Sequence, residues 1–198
     1  TNETLYLGAN PLNASATAVE GDYVTRDGES FYRIANVDGM NDFFISVVSD
    51  SNHWMFISTR GGLSAGRTDC DSALFPYYTE DKIRDNSDNT GSRTIVIADQ
   101  GGKRMLWEPF SRSHTGIYRI TRNLCKNVLG DKLIFEETNH DLGLQFSYSW
   151  STSDRFGFVK QSTIKATGNA ESAVEILDGI ENLPVSYTHL RAHETQDD

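Results

Sequence analysis

The strict alternation of apolar and polar side chains from Leu142 to Trp150 constrains the fold of this chain more than any other feature. The segment reads Leu-Gly-Leu-Gln-Phe-Ser-Tyr-Ser-Trp, so every second residue is large and apolar. A helix would spread these side chains around its axis, whereas an extended strand places them all on one face. The pattern therefore predicts a half-buried β-strand whose opposite face is exposed.

Other segments follow the same period of two. The β-rich segments 42–48 and 53–59 flank the turn-forming cluster Ser49-Asp-Ser-Asn52, and segments 93–99 and 103–110 flank Gln100-Gly-Gly102, so each pair predicts a hairpin. Short strands recur along the chain with Gly, Asn and Asp between them, and no stretch has the pattern of a long amphipathic helix. The expected fold is all-β, an antiparallel β-sandwich.

The two ends of the chain differ from its middle. Residues 1–29 are weakly patterned, with an edge strand suggested by Leu5 and Leu7, and residues 30–184 form the expected sandwich domain. Residues 185–198 resemble translated read-through of a sequencing adaptor, and we expect them to be a disordered, non-native tail. The segment 61–89 reads as a long irregular loop, and such loops are often functional.

Charge and cysteine content exclude several classes of protein. The chain has 198 residues and a formal net charge of −10, which disfavours a nucleic-acid binder, and no apolar run is long enough to span a membrane. Cys70 and Cys125 allow one disulfide at most, and a free buried thiol is an equally good reading. His53, His114 and His140 are too far apart in sequence for a metal motif, so we expect no metal and no cofactor.

The sequence Gly62-Leu-Ser-Ala-Gly66 matches the G-x-S-x-G motif of serine hydrolases. That chemistry needs a turn between a strand and a helix that exposes the serine hydroxyl over an oxyanion hole. The surrounding sequence is all-β, so we interpret the motif as a glycine-rich loop that leaves a strand.

The long loop carries the residue types used in sugar recognition. Aromatic faces pack against the C–H faces of a pyranose, while carboxylates and guanidinium groups hydrogen-bond to its hydroxyls. Candidate substrate-binding residues of this kind are Arg67, Tyr77, Tyr78, Asp81, Arg84 and, in a later strand beside Glu108, Trp107. The alternative is that the aromatic residues anchor the loop in the core and that the charges are solvated or paired.

Glu136 and Glu137 form a carboxylate pair at the end of a predicted strand. Two carboxylates are the acid and base of glycoside hydrolysis, but sequence alone cannot give the separation that the mechanism requires. An exposed acidic strand end is the preferred reading.

Several motifs together resemble a known family. They are His53-Trp-Met-Phe-Ile-Ser58, Gly61-Gly-Leu-Ser-Ala-Gly-Arg67, Phe75-Pro-Tyr-Tyr-Thr-Glu-Asp-Lys-Ile-Arg84, Met105-Leu-Trp-Glu-Pro-Phe110 and the closing segment 174–184. They resemble the N-terminal β-sandwich of bacterial glycoside phosphorylases and hydrolases of the cellobiose-phosphorylase-like type. The resemblance implies a galactose-mutarotase-like supersandwich, truncated here before a helical (α/α)6 barrel that would hold the catalytic acid.

The resemblance implies a carbohydrate-contacting domain that is inactive alone and supports glycosidic cleavage by the missing catalytic domain. It implies an oligosaccharide and that helical domain as partners, in the cytoplasm for a phosphorylase or outside it for a hydrolase. Two alternatives stay open. A stand-alone aldose epimerase needs a general acid and base around the anomeric carbon, for which no convincing His and Glu pair is found. A noncatalytic carbohydrate-binding sandwich needs no partner domain.

Overall fold

A computed structural model of the chain describes residues 5–7, 10–11, 18–74, 89–168 and 172–182. These residues form short strands joined by turns, with two single 3-10 turns at Val37–Gly39 and Cys70–Ser72. The strands are β1 (Tyr6–Leu7), β2 (Asn10–Pro11), β3 (Glu20–Arg26), β4 (Glu29–Ala35), β5 (Phe44–Val47), β6 (His53–Ser58), β7 (Leu63–Arg67), β8 (Gly91–Gln100), β9 (Lys103–Trp107), β10 (Ile120–Asn127), β11 (Lys132–Asn139), β12 (Leu144–Ser153), β13 (Gly157–Ala166) and β14 (Ala173–Glu181).

The strands form an all-β antiparallel sandwich, which confirms the predicted fold class. One layer is a six-stranded sheet in the order β13-β12-β11-β10-β4-β3. The facing layer consists of two three-stranded sheets, β5-β6-β7 and β14-β8-β9, while β1 and β2 pair separately. All described strand pairs are antiparallel. Among the described residues, no helix has the length and apolar character needed to cross a membrane.

The core lies between the two layers, and β12 supplies much of it. Leu144, Phe146, Tyr148 and Trp150 are each at most 4% exposed, whereas the residues between them are half-buried on the other face of the sheet. The alternation in the sequence therefore predicted which residues face the core, while the opposite face is half-buried and not exposed as expected. Opposite β12, the inner faces of the other layer contribute Met55, Ile57, Leu63, Ala65, Val96, Ala98 and Trp107.

Both predicted hairpins are present. Strands β5 and β6 pair with Val47 opposite Met55, and β8 and β9 pair with Gln100 opposite Lys103. The second hairpin closes through Gly101 and Gly102, whose φ angles are +57° and +75°. Two consecutive positive φ angles match the twist of the strands on either side, and glycine adopts them without strain.

The six-stranded sheet extends to the N-terminal side of residue 30. Strand β3 lies inside the segment expected to be weakly structured, and it pairs along its whole length with β4. Most residues of β3 are exposed, so no apolar alternation marks this strand in the sequence. The sheet therefore begins at Glu20.

The segment 61–89 is not one long irregular loop. Its first part is β7, which pairs with β6 from Leu63 to Arg67. Just before β7, the carbonyl oxygen of Gly61 would lie 2.3 Å from a Cβ placed on Gly91, whose φ is +102°. This close approach of two backbones fixes the start of β8 against the β6–β7 turn, and it needs glycine at position 91.

Candidate functional site

The serine of the G-x-S-x-G motif is not a nucleophile in this fold. Ser64 is 0% exposed and lies within β7, where it pairs with Phe56. A serine hydrolase needs its serine in a sharp turn between a strand and a helix, whereas Ser64 lies within a strand. Because Ser64 is buried, its hydroxyl has no access to a substrate. The motif is part of a strand, so the expectation of a glycine-rich loop there is also wrong.

Glu136 and Glu137 do not form an acid and base pair. Successive residues of β11 point to opposite faces of the sheet, so the two carboxylates lie on its two sides. Nor is this an exposed strand end, because Glu136 is 5% and Glu137 is 1% exposed. Each carboxylate pairs with an arginine instead, Glu136 with Arg26 and Glu137 with Arg122.

Glu137 organises the inner side of the sandwich. Its Oε1 accepts a hydrogen bond from the indole N–H of Trp107 at 2.8 Å. Its Oε2 accepts from the backbone N–H of Phe110 and from Nε of Arg122, both at 2.7 Å. A buried carboxylate is tolerated when it is paired and hydrogen-bonded in this way.

Trp107 is therefore a core residue. It is 1% exposed, and both its ring and its N–H are used within the protein. A sugar can stack only on an accessible aromatic face, so the expectation of a sugar platform at Trp107 is wrong.

The chain that follows Trp107 is held in an unusual conformation. Phe110 has a φ of +66°, a region that non-glycine residues seldom occupy. The hydrogen bond from its N–H to Glu137 and edge-on ring contacts with Phe135 and Tyr148 hold it there. Such strain costs about 1–3 kcal/mol and is concentrated at functional sites.

The strained segment forms one wall of a cavity of about 220 Å³, which we call the arginine cleft. The β6–β7 turn, the start of β8 and the end of β14 complete it. Its charged and polar lining residues are Arg60, Thr90, Ser92, Arg93, Glu108, Ser111, Arg112, Ser113, Tyr148 and Glu181. A second cavity of about 390 Å³ shares Arg60, Phe110 and Arg112 with it, so the cleft continues towards Asp42.

The arginine cleft holds its charges in ion pairs. Arg93 bridges two carboxylates, that of Glu108 at 2.8 Å and that of Glu181 at 3.0 Å. Arg60 donates to Asp42 at 2.5 Å. The pairs leave further hydrogen-bonding capacity on these groups, because each guanidinium has five donors and each carboxylate about four acceptor sites.

Tyr148 reaches the arginine cleft from the core. A Cβ placed on Gly61 would lie 2.9 Å from its hydroxyl oxygen, so the hydroxyl lies directly below the β6–β7 turn. Burial raises the pKa of Tyr148 well above its ordinary value, and the phenol stays protonated. It can thus donate a hydrogen bond into the cavity at any physiological pH.

Of the residues predicted from the sequence to contact substrate, Arg67 lies elsewhere. It is exposed at the end of β7, where it lines a separate groove of about 650 Å³ with His53, Trp150 and Phe156. Because the arginine cleft adjoins the start of β7, the groove and the cleft lie at opposite ends of that strand. Tyr77, Tyr78, Asp81 and Arg84 fall outside the described residues.

The cysteines and histidines form no shared site in the described part of the chain. Cys70 and Cys125 are both free, Cys70 exposed and Cys125 buried. Nδ1 of His53 is 2.6 Å from the Ser51 hydroxyl, and Nε2 of His140 is 2.7 Å from the Thr121 hydroxyl. Among the residues described, no three His, Cys, Asp or Glu side chains are grouped so that they could hold a metal ion.

Two of the motifs identified in the sequence contribute to the arginine cleft, but the residues that line the cleft were not among the predicted substrate-binding residues. Gly61 and Glu108–Phe110 belong to two of the motifs that carry the family resemblance, and they meet in this cavity. Arg93 and Glu181 were missed, because an isolated charge at a strand end has no local signature. Pairing with a residue 88 positions away, as for Arg93 and Glu181, becomes visible only in the fold.

Comparison with known proteins adds no identity. No family model matches the chain, and no curated protein matches it significantly.

Proposed function

We propose that this chain is a carbohydrate-contacting β-sandwich domain and that the arginine cleft is its sugar site. The observation that carries the proposal is the meeting of two sequence motifs, about 45 residues apart, in one polar cavity with a strained wall. Guanidinium, carboxylate and hydroxyl groups are the groups that hydrogen-bond to a belt of sugar hydroxyls. The half-buried ring of Phe110 adds apolar surface for the C–H face of a pyranose, and the Tyr148 hydroxyl adds a polar group.

The size of the cavity and its charge balance support a neutral sugar. A volume of about 220 Å³ is below the range of about 300–1,000 Å³ that is usual for drug-sized ligands, and it suits a single ring. Because Arg93 is already neutralised by two carboxylates, a charged ligand gains little there, whereas a hydroxyl can accept from the arginine and donate to a glutamate.

We further propose that the sandwich serves a glycoside phosphorylase or hydrolase whose helical catalytic domain performs the cleavage, in line with the family that the motifs resemble. On this proposal the galactose-mutarotase-like sandwich supplies substrate contacts. Phosphate or water attacks the glycosidic bond of the substrate in the active site of the helical domain. No general acid for that step is assigned to the described residues. The chain by itself is then expected to bind sugar without turnover.

Calorimetric titration of the full chain with monosaccharides and disaccharides tests the sugar site. Arg93→Gln and Glu108→Gln should each weaken binding about 10-fold or more, because a hydrogen bond to a charged group contributes about 1.5–3 kcal/mol. Arg104→Gln is the matched control, since Arg104 forms a 2.7 Å ion pair with Glu175 on the same sheet but outside the cleft. Equal affinity in all three variants, or no sugar binding by the wild-type chain, would refute the assignment.

Two activity assays separate the alternatives. Polarimetry should show no acceleration of sugar mutarotation, whereas an acceleration lost in Glu108→Gln would identify an aldose epimerase. Release of reducing sugar from oligosaccharides by the chain alone would contradict the proposal that the sandwich only binds sugar and that a separate helical domain cleaves it. Binding without either activity, in a gene that encodes no catalytic domain, would identify a noncatalytic carbohydrate-binding module.

A further inference from the structure

The outer face of the six-stranded sheet carries a second polar cavity, of about 580 Å³. Its floor is a row of short side chains on β12, Ser147, Ser149 and Ser151, continued by Gln145 at one end. Gln161 and Thr163 of β13 flank the row on one side, and Glu136 of β11 flanks it on the other. We call this surface the serine trough.

The serine trough is concave. Both Nη1 and Nη2 of Arg26, on β3, donate to the carboxylate of Glu136, on β11. Strands β4 and β10 lie between them, and in a flat sheet the two strands would be about 14 Å apart. The side chains can meet only because the sheet curls, so that the β3 edge stands over the floor as a wall. Ser147 and Ser149 are accordingly half-buried, and on the same face Phe31 is 2% and Cys125 is 0% exposed.

The serine-rich composition of the trough floor does not stabilise the strand. Strands favour β-branched and aromatic residues, and serine is not among them. Three serines in alternating positions leave a channel with a hydroxyl at each step. Asn123 lies opposite Glu136 in the register, and its amide oxygen is buried without a hydrogen-bond partner in the described residues. A buried acceptor without a partner is costly.

Most of the charged residues around the serine trough are paired with one another, and Asp27 and Lys165 also line it. Besides Arg26 and Glu136, Arg33 pairs with Asp22 at 2.7 Å and Lys132 pairs with Glu29 at 2.6 Å. Side-chain hydrogen bonds from Lys132 and Asn127 lower the pKa of Glu29. The hydroxyls and amides of the floor therefore remain as the main groups for recognition, and they suit an uncharged, hydroxyl-rich ligand.

We propose that the serine trough binds a neutral oligosaccharide chain in an extended conformation, separately from the arginine cleft. From Gln145 to Ser151 the floor is about 20 Å long, which is long enough for several consecutive sugar rings. The two sites lie on opposite faces of β12, because Ser147 and Ser149 alternate with Tyr148. This site does not depend on the sugar assignment of the cleft, and either proposal can fail alone.

Calorimetric and NMR titration of the full chain with neutral oligosaccharides of increasing length tests the serine trough. The probes are the cello-, malto- and xylo-series from two to six rings. Affinity for at least one series should rise by about 10-fold or more between the two-ring and six-ring members. The amides of residues 145–151 and 161–165 should shift in the wild-type protein, which keeps the test valid if a variant fails to fold.

Ser149→Tyr and Ser151→Tyr should each reduce affinity for the six-ring ligand by about 10-fold or more, because the ring fills the channel. Ser30→Tyr is the matched control, since Ser30 is exposed on β4 and points to the opposite side of the sheet from Phe31 and Arg33, which line the trough. Arg104→Gln, outside both cavities, should leave the six-ring affinity unchanged. The proposal is overturned if affinity does not rise with length, if the shifted amides lie outside the trough, or if both serine variants bind like the control.

Discussion

Removal of the Glu137 carboxylate is the perturbation with the largest effect that the structure predicts. Glu137→Ala would leave three donors without an acceptor, the indole N–H of Trp107, the backbone N–H of Phe110 and Nε of Arg122. The Arg122 side chain is only 16% exposed, so water compensates its charge poorly. Breaking a buried ion pair by removing one partner costs about 3–5 kcal/mol.

That loss is a large part of the stability of an ordinary domain. Folded domains are stable by about 5–15 kcal/mol, and for a chain of this size each kcal/mol corresponds to about 2–4 °C in the midpoint of thermal unfolding. Glu137→Ala should therefore lower the midpoint by roughly 6–20 °C. Urea unfolding followed by tryptophan fluorescence measures the free energy directly, and Trp107 is itself a reporter of the lost contact.

Two further variants test the reasoning. Glu175→Ala removes an equivalent carboxylate from an exposed pair with Arg104 and should change stability by only about 0.5 kcal/mol. The double variant Glu137→Leu with Arg122→Leu removes both charges and should recover the part of the loss that comes from the unpaired arginine, because an apolar pair often replaces a buried ion pair without cost. The N–H groups of Trp107 and Phe110 stay without their acceptor, so the recovery should be incomplete. A Glu137→Ala loss no larger than that of Glu175→Ala would refute the assignment of Glu137 as the organising group.

Two other predictions concern single positions. Gly91→Ala should lower the free energy of unfolding by at least about 2 kcal/mol, because its Cβ would lie 2.3 Å from the Gly61 carbonyl oxygen at a positive φ. Gly179→Ala should be nearly neutral, because a Cβ on Gly179 meets nothing within 4 Å. Thermal unfolding of the two variants checks this, and equal midpoints would contradict it. Burial raises the pKa of the Cys125 thiol to about 11, whereas Cys70 is exposed. At pH 8 a thiol reagent should therefore modify only Cys70 in the native chain and both cysteines after denaturation. Labelling of both cysteines in the native chain would show that Cys125 is accessible.

The fold was largely predictable where one face of a strand is buried. The alternation from Leu142 to Trp150 follows from the pleat of a strand between core and solvent, and the Gly101-Gly102 turn follows from the φ angles of a tight hairpin. Strand β3 was missed for the complementary reason. It lies at a sheet edge with most residues exposed, and its pairing with β4 depends on hydrogen bonds between backbones, which leave no pattern in the sequence.

The candidate sites were less predictable, because their geometry depends on long-range contacts. The alternation rule alone places Glu136 and Glu137 on opposite faces, and it would have excluded an acid and base pair from the sequence. The burial of the two glutamates could not be predicted from the sequence, because it depends on the arginines that neutralise them, Arg26 and Arg122. Arg26 is 110 residues from Glu136 in the sequence. The burial of Trp107 likewise depends on a carboxylate from another strand.

The alternation along β12 links the fidelity of folding to the integrity of both proposed binding surfaces. Displacing this strand by a single position against β11 would turn the phenol of Tyr148 outward and press neighbouring serines into the apolar interior. The arginine cleft would lose Tyr148 and the serine trough would lose its floor in the same event. If the two proposals hold, a misaligned conformer would lose both binding surfaces, and selection for binding would at the same time be selection for correct strand alignment.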